Sequence, residues 1–136
     1  MKEDNGELLL EIRVRCEEAL TVKGGSRDIV MIPFTGTASG PEFRGEILRG
    51  GVDTQKIGKD GSFLLSARYM LGGTDASGAA CRIFIENQGN EQDGFVPAIT
   101  TDSPLLRKWE ETPLISTLEG IPGGVTVRIF RRETGE

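Results

Sequence analysis

From Glu7 to Cys16 the chain alternates, with Leu8, Leu10, Ile12, Val14 and Cys16 on one side and Glu11, Arg13 and Arg15 on the other. Successive side chains of an extended chain point to opposite faces, so this stretch predicts an antiparallel strand with one wet face. A shorter apolar run, Ile29 to Phe34, contains Pro33 and precedes GTASGP (Gly36 to Pro41), which reads as a turn. Glu42 to Leu48 alternates again and is ended by Arg49-Gly50-Gly51. Strands are further predicted at Val52 to Ile57, Ser62 to Leu71, Ala79 to Asn87, Leu114 to Ile121 and Val125 to Arg131, with a less regular stretch around Phe95 to Thr101. ENQGNEQDG (Glu86 to Gly94) reads as a loop, Pro122-Gly123-Gly124 joins the last two strands, and Pro104 to Glu111 is the one segment suited to a helical turn.

About eight to nine short strands with regularly spaced turn signals predict an all-β barrel or sandwich, and no long helical pattern separates strands as a parallel α/β fold would need. No repeat, linker or low-complexity segment interrupts residues 1–136, which are expected to form one domain.

Asp60-Gly61 is the strongest hairpin signal in the chain. With these two residues as the whole loop, Lys59 faces Ser62, Ile57 faces Leu64, Gln55 faces Ser66 and Asp53 faces Arg68. A loop at Gly72 to Gly78 then sets Tyr69 beside Cys81, Ala67 beside Ile83 and Leu65 beside Ile85. One face is uniformly apolar and reads as packed core. The other gathers Asp53, Gln55, Arg68 and Glu86 with Phe84 and Met70, and is expected to line a cavity, to meet another subunit, or to be plain surface carrying a weak ion pair. Tyr69 falls on the apolar face, away from Arg68.

Composition narrows the chemistry. The chain has no histidine, which removes Ser-His, Cys-His and histidine-metal sites, and leaves carboxylates, Arg, Lys, Tyr and backbone dipoles for any catalysis. Cys16 and Cys81 lack CxxC spacing and are expected to be buried reduced thiols, with no metal bound. A net charge of −5 argues against nucleic acid, and no apolar run is long enough to span a membrane. The N-terminal MKEDNGELLLEIRVR has no secretory or transit pattern, so a cytoplasmic protein is expected. Oxygens around Gly89 and Gly94 lack calcium-loop spacing, the glycines form no nucleotide cradle, and Trp109 reads as a lid or packing residue.

SGPEFRGEILRGGVD (Ser39 to Asp53), the DG hairpin followed by SARY (Ser66 to Tyr69), the strand ending in Asn87 with Gly89, and GGVTVRIF (Gly123 to Phe130) together resemble the bacterial and fungal family called domain of unknown function 3237. The resemblance covers most of the chain from about Phe34 and implies a single antiparallel calycin-like β-barrel. It implies no assigned activity. Thr54 stands where the family usually has Trp, Ser66 where it has a second Asp, and Arg49 where Pro is common, so of two acids and an arginine this chain keeps Asp53 and Arg68.

The expected role is binding of a small, partly apolar molecule in the barrel, with no cofactor, Asp53 and Arg68 at the polar end and Glu46 and Gln55 beside them. Two alternatives stand beside it. One is a small cofactor-free isomerase, cyclase or dehydratase in which Arg68 steadies an oxyanion and Asp53 or Glu46 moves a proton. The other is a structural protein whose mixed face is buried in a homodimer.

Overall fold

The computed structural model describes residues 5–133. Ten strands follow in chain order: β1 (Asn5–Cys16), β2 (Leu20–Lys23), β3 (Arg27–Ser39), β4 (Phe43–Ile47), β5 (Val52–Gly58), β6 (Phe63–Asp75), β7 (Ala80–Asn90), β8 (Gly94–Thr101), β9 (Leu114–Ile121) and β10 (Gly124–Arg132). All pairings are antiparallel. The order β1-β10-β9-β8-β7-β6 continues through β4 and β5 to β3, and β3 pairs with β1, closing an eight-position barrel. β4 and β5 share one position between β3 and β6, interrupted at Leu48 to Gly51. β2 is an addition on the edge of β3. The fold is thus the predicted all-β, calycin-like barrel.

Several strands run longer than their alternation suggested. β3 passes through Pro33 and continues to Ser39, so GTASGP is largely strand, with only Gly40 to Glu42 turning. The Pro33 carbonyl accepts from the Glu17 N–H at 2.8 Å and the Phe34 N–H donates to the Gly51 carbonyl at 3.1 Å, so the ladder continues on both sides of the missing proline donor. β7 extends to Asn90 and β8 starts at Gly94, reducing the expected loop at Glu86 to Gly94 to a tight turn.

The DG hairpin closes differently from the two-residue expectation. The Gly58 N–H donates to the Ser62 carbonyl at 2.8 Å and the Gly61 N–H to the Gly58 carbonyl at 3.0 Å, leaving three residues, Lys59 to Gly61, in the loop. Gly61 has φ +91°, the left-handed residue such a loop requires, and Asp60 Oδ1 accepts from the Ser62 N–H at 2.9 Å. One extra loop residue slips the register by one and turns every side chain of one strand to the other face relative to its partner. Asp53 therefore opposes Ala67, and Arg68 opposes Val52. Between β6 and β7, by contrast, the turn shortens to three residues, so Tyr69 pairs with Ile85 rather than Cys81. That displacement is four residues, an even number, and leaves the assignment of faces intact.

The uniformly apolar face is the barrel interior. Leu10, Ile12, Leu71, Ile83, Ile85, Leu106 and Ile129 are fully buried in it. One end is closed by the segment after β8, where a 3-10 turn at Arg107–Glu110 seats Trp109 in the core beside Leu106. The other end carries the hairpins at Gly58–Ser62, Asn90–Gly94 and Ile121–Gly124 and forms a mouth. No helix among the described residues is long and apolar enough to cross a membrane. Both cysteines are free; Cys81 is buried as expected, whereas Cys16, at the end of β1, is exposed.

Candidate functional site

The register slip decides which polar groups meet. Asp53 and Gln55 lie on the interior face of β5, next to β6, whose interior face presents Ala67 and Tyr69. On β7 the interior position beside Ala67 is Asn87. Asp53, Ala67 and Asn87 therefore form one row across three strands, with Tyr69 one step along β6. The methyl group of Ala67 is the smallest side chain the row could carry between two polar ones.

Asp53 Oδ2 accepts from Gln55 Nε2 at 2.9 Å, and Asn87 Nδ2 donates to Ser116 Oγ at 2.9 Å, which in turn donates to the Phe95 carbonyl at 3.1 Å. Three atoms remain unmatched. Asp53 Oδ1, the Tyr69 hydroxyl and Asn87 Oδ1 are all buried without a hydrogen-bond partner in the protein. Tyr69 is only 4% exposed and Asn87 2%. An unsatisfied buried donor or acceptor costs about 1–3 kcal/mol, so three on adjacent strands form a concentrated liability.

Burial pushes the Asp53 carboxyl above its ordinary value, and the Gln55 bond offsets this only in part. Burial likewise pushes the Tyr69 phenol well above its usual value. The Cys16 thiol is raised by desolvation and then by the Asp53 charge. The Tyr69 ring is held edge-on to Phe34 with centroids 5.3 Å apart. Gly51 makes this possible: a Cβ there would lie 3.0 Å from Phe34 Cε1 and 3.2 Å from Tyr69 Cβ.

Above this row, toward the mouth, is a cavity of about 830 Å³ lined by Phe63, Leu65, Phe95, Leu118 and the turns at Gly61–Ser62 and Asn90–Gly94. Its lining does not include Asp53, Tyr69 or Asn87. Leu65, Phe95 and Leu118 are half-buried and occupy the layer between the open space and the unmatched atoms.

Of the residues singled out from sequence, Asp53 and Gln55 are brought together inside the barrel. Arg68 and Glu46 are exposed on its outer face, so the expected Asp53–Arg68 pair does not exist. Arg68 instead lies opposite Glu86 on the outside. Tyr69, separated from Asp53 in the two-residue register, shares the interior with it. Asn87 and Ser116 were not foreseen, although a polar side chain ending the series Cys81, Ile83, Ile85, Asn87 is a readable signal. No group of three or more acidic or cysteine side chains placed to hold a metal occurs among the described residues.

The model for the family described as protein of unknown function (DUF3237) matches residues 5–94. The chain belongs to this family. A UPF0311 protein from Clostridium acetobutylicum is 39% identical over 106 residues, 73% of this chain; the chain spans 63% of that relative's length. Among solved structures, a protein of unknown function from the same organism superposes with a TM-score of 0.79 at 23% identity over 98% of this chain and 99% of the other. A β-barrel-like protein from Acinetobacter baumannii gives 0.70 at 19% identity over 93% and 94%. A chain described as an enzyme from Penicillium herquei gives 0.70 at 16% over 95% and 97%. At these identities the structural likenesses establish the fold alone.

Proposed function

We propose that the barrel binds a small, partly apolar molecule, which enters through the mouth, displaces the layer of Leu65, Phe95 and Leu118, and sets its polar end against Asp53, Tyr69 and Asn87. The observation that carries this reading is the set of three unmatched buried polar atoms beneath a cavity whose wall combines Phe63, Leu65, Phe95 and Leu118 with the polar Ser62, Asn90, Glu91, Gln92 and Thr117. Elsewhere in the barrel, buried polar groups such as Asp75 and Ser103 are bonded. Apolar walls with a few convergent polar groups are the general character of ligand sites, and barrels of about eight strands have room for one small ligand.

The test uses the neutral fluorescent probe N-phenyl-1-naphthylamine. Saturable enhancement with one site per chain is expected, abolished by Leu118→Trp, which fills the mouth, and retained by Arg68→Ala. Absence of saturable binding in the parent protein would overturn the reading.

A second reading, a cofactor-free proton-transfer enzyme of the isomerase, cyclase or dehydratase type, is favoured by the raised Asp53 carboxyl. A carboxyl in a dry site holds and releases its proton closer to neutral pH. The enzyme description of the Penicillium herquei neighbour is consistent with such use of the fold. In this reading Asp53 is the proton-transfer group and Arg68, on the outside, has no part.

A further inference from the structure

Resting on the binding reading, we propose that the barrel selects an uncharged ligand bearing at least two hydroxyl donors at its polar end, and discriminates against anions. The inventory of unmatched atoms sets this chemistry. Asn87 donates one Nδ2–H to Ser116, and its unmatched atom is the carbonyl oxygen, which can only accept. Asp53 has one oxygen engaged by Gln55 and offers the other, an acceptor whenever the carboxyl is ionised. These acceptors stand on the two strands flanking β6, and a single hydroxyl has one proton, so it cannot satisfy both. The Tyr69 hydroxyl, one step along β6, supplies a free donor, matching an oxygen of the same ligand.

Charge selects against an acid. Arg13, Arg15, Arg27, Arg44, Lys56, Arg68 and Arg82 are exposed on the outer face, and Arg128 is held by Glu11 and Glu119. Lys23 and Lys59 are engaged with Asp28 at the rim. An anionic ligand would bring its charge to Asp53 without a cation on the interior strand faces of the described residues around it to offset it, in a site where desolvation is already costly.

Four compounds with the same apolar body test the proposal by displacement of N-phenyl-1-naphthylamine: 4-hexylresorcinol, hexylbenzene, 4-hexylbenzoate and 4-hexylbenzylamine. 4-Hexylresorcinol is expected to bind about tenfold or more tighter than the other three, one net hydrogen bond being worth about that factor. Asp53→Asn is expected to retain most of this preference, with its oxygen toward the ligand and its amide N–H donating to Gln55 Oε1 once the Gln55 amide turns over, whereas Asp53→Leu and Asn87→Leu lose it. Tighter binding of the benzoate would overturn the proposal. Tighter binding of the benzylammonium, lost in Asp53→Asn, would overturn it in favour of an ionic partner for Asp53. Either result leaves the barrel-binding reading standing, which fails only if the probe itself does not bind.

Discussion

Asp75 and Asp53 both point into the barrel, near opposite ends, and their surroundings could hardly differ more. Asp75 is 4% exposed and fully engaged: Oδ1 accepts from the Ser77 N–H, the Ser77 hydroxyl and the Ala79 N–H, and Oδ2 from Ser103 Oγ at 2.7 Å. Ser103 Oγ also accepts from the Leu106 N–H, so this carboxylate ties the segment that closes the barrel floor to the β6–β7 turn. The bonds from Ser77 and Ser103 hold the Asp75 carboxyl down to about 2. Asp53 has one bond, one empty oxygen and a carboxyl pushed upward by burial. The floor spends its polar groups on structure, while the row below the mouth leaves them free. Unmatched groups survive where something other than stability retains them, and a ligand is the physical candidate.

The contrast can be broken at either aspartate. Asp75→Ala strands Ser103 and releases the floor segment, and is expected to lower the Tm by roughly 5–10 °C in calorimetry. Its pH dependence has a definite sign. A folded value below the ordinary 3.8 adds stability that is present above 3.8 and is lost as the pH falls toward about 2. Acid unfolding of the parent should therefore steepen in that window, and the Asp75→Ala protein should not show this increment.

Asp53→Asn is expected to act oppositely, raising the Tm at neutral pH by roughly 2–5 °C because the fold disfavours the charged carboxyl. Since the folded value lies above 3.8, the gain should vanish below that pH and grow as the pH rises through the folded value. A destabilised Asn variant would mean that the charge of Asp53 is structural after all.

Tyr69→Phe removes an unmatched hydroxyl without changing the ring contact to Phe34. Its Tm should stay within about 2 °C of the parent or rise, because the lost group made no bond. The smallest effect is expected from Arg68→Ala: the side chain is exposed on the outer face, so stability should move by less than about 0.5 kcal/mol in urea titration and probe binding should not change. A strong effect of Arg68→Ala on binding would contradict the placement of the site inside the barrel.

Much of this was legible in the chain. The alternations of β1, β6 and β7 are local and fix which residues share a face whatever their partners are, so the apolar interior face of β6 and β7 was assigned correctly even with their pairing misplaced by four. Glycine punctuation marked the turns, and Gly61, Gly78 and Gly123 do sit in them with positive φ. Asp53 and Gln55 were recognised as chemistry-bearing residues. Their neighbours were not, because β5 carries no clean alternation: Val52, Thr54, Asp53 and Gln55 are all half-buried, leaving its facing to be set by the hairpin.

The sequence by itself determined an all-β chain, its family, an interior-facing series on β6 and β7, and the absence of any histidine chemistry, since all these depend on residue identity or a period of two. Only the tertiary structure decided that Asp53 faces Tyr69 and Asn87 rather than Arg68. That choice turned on whether the Asp60-Gly61 loop holds two residues or three, a difference set by the Gly58–Ser62 hydrogen bond and by closure of the barrel around it. Strand pairing is a relation between distant segments, and an odd shift in one loop exchanges inside for outside along a whole strand.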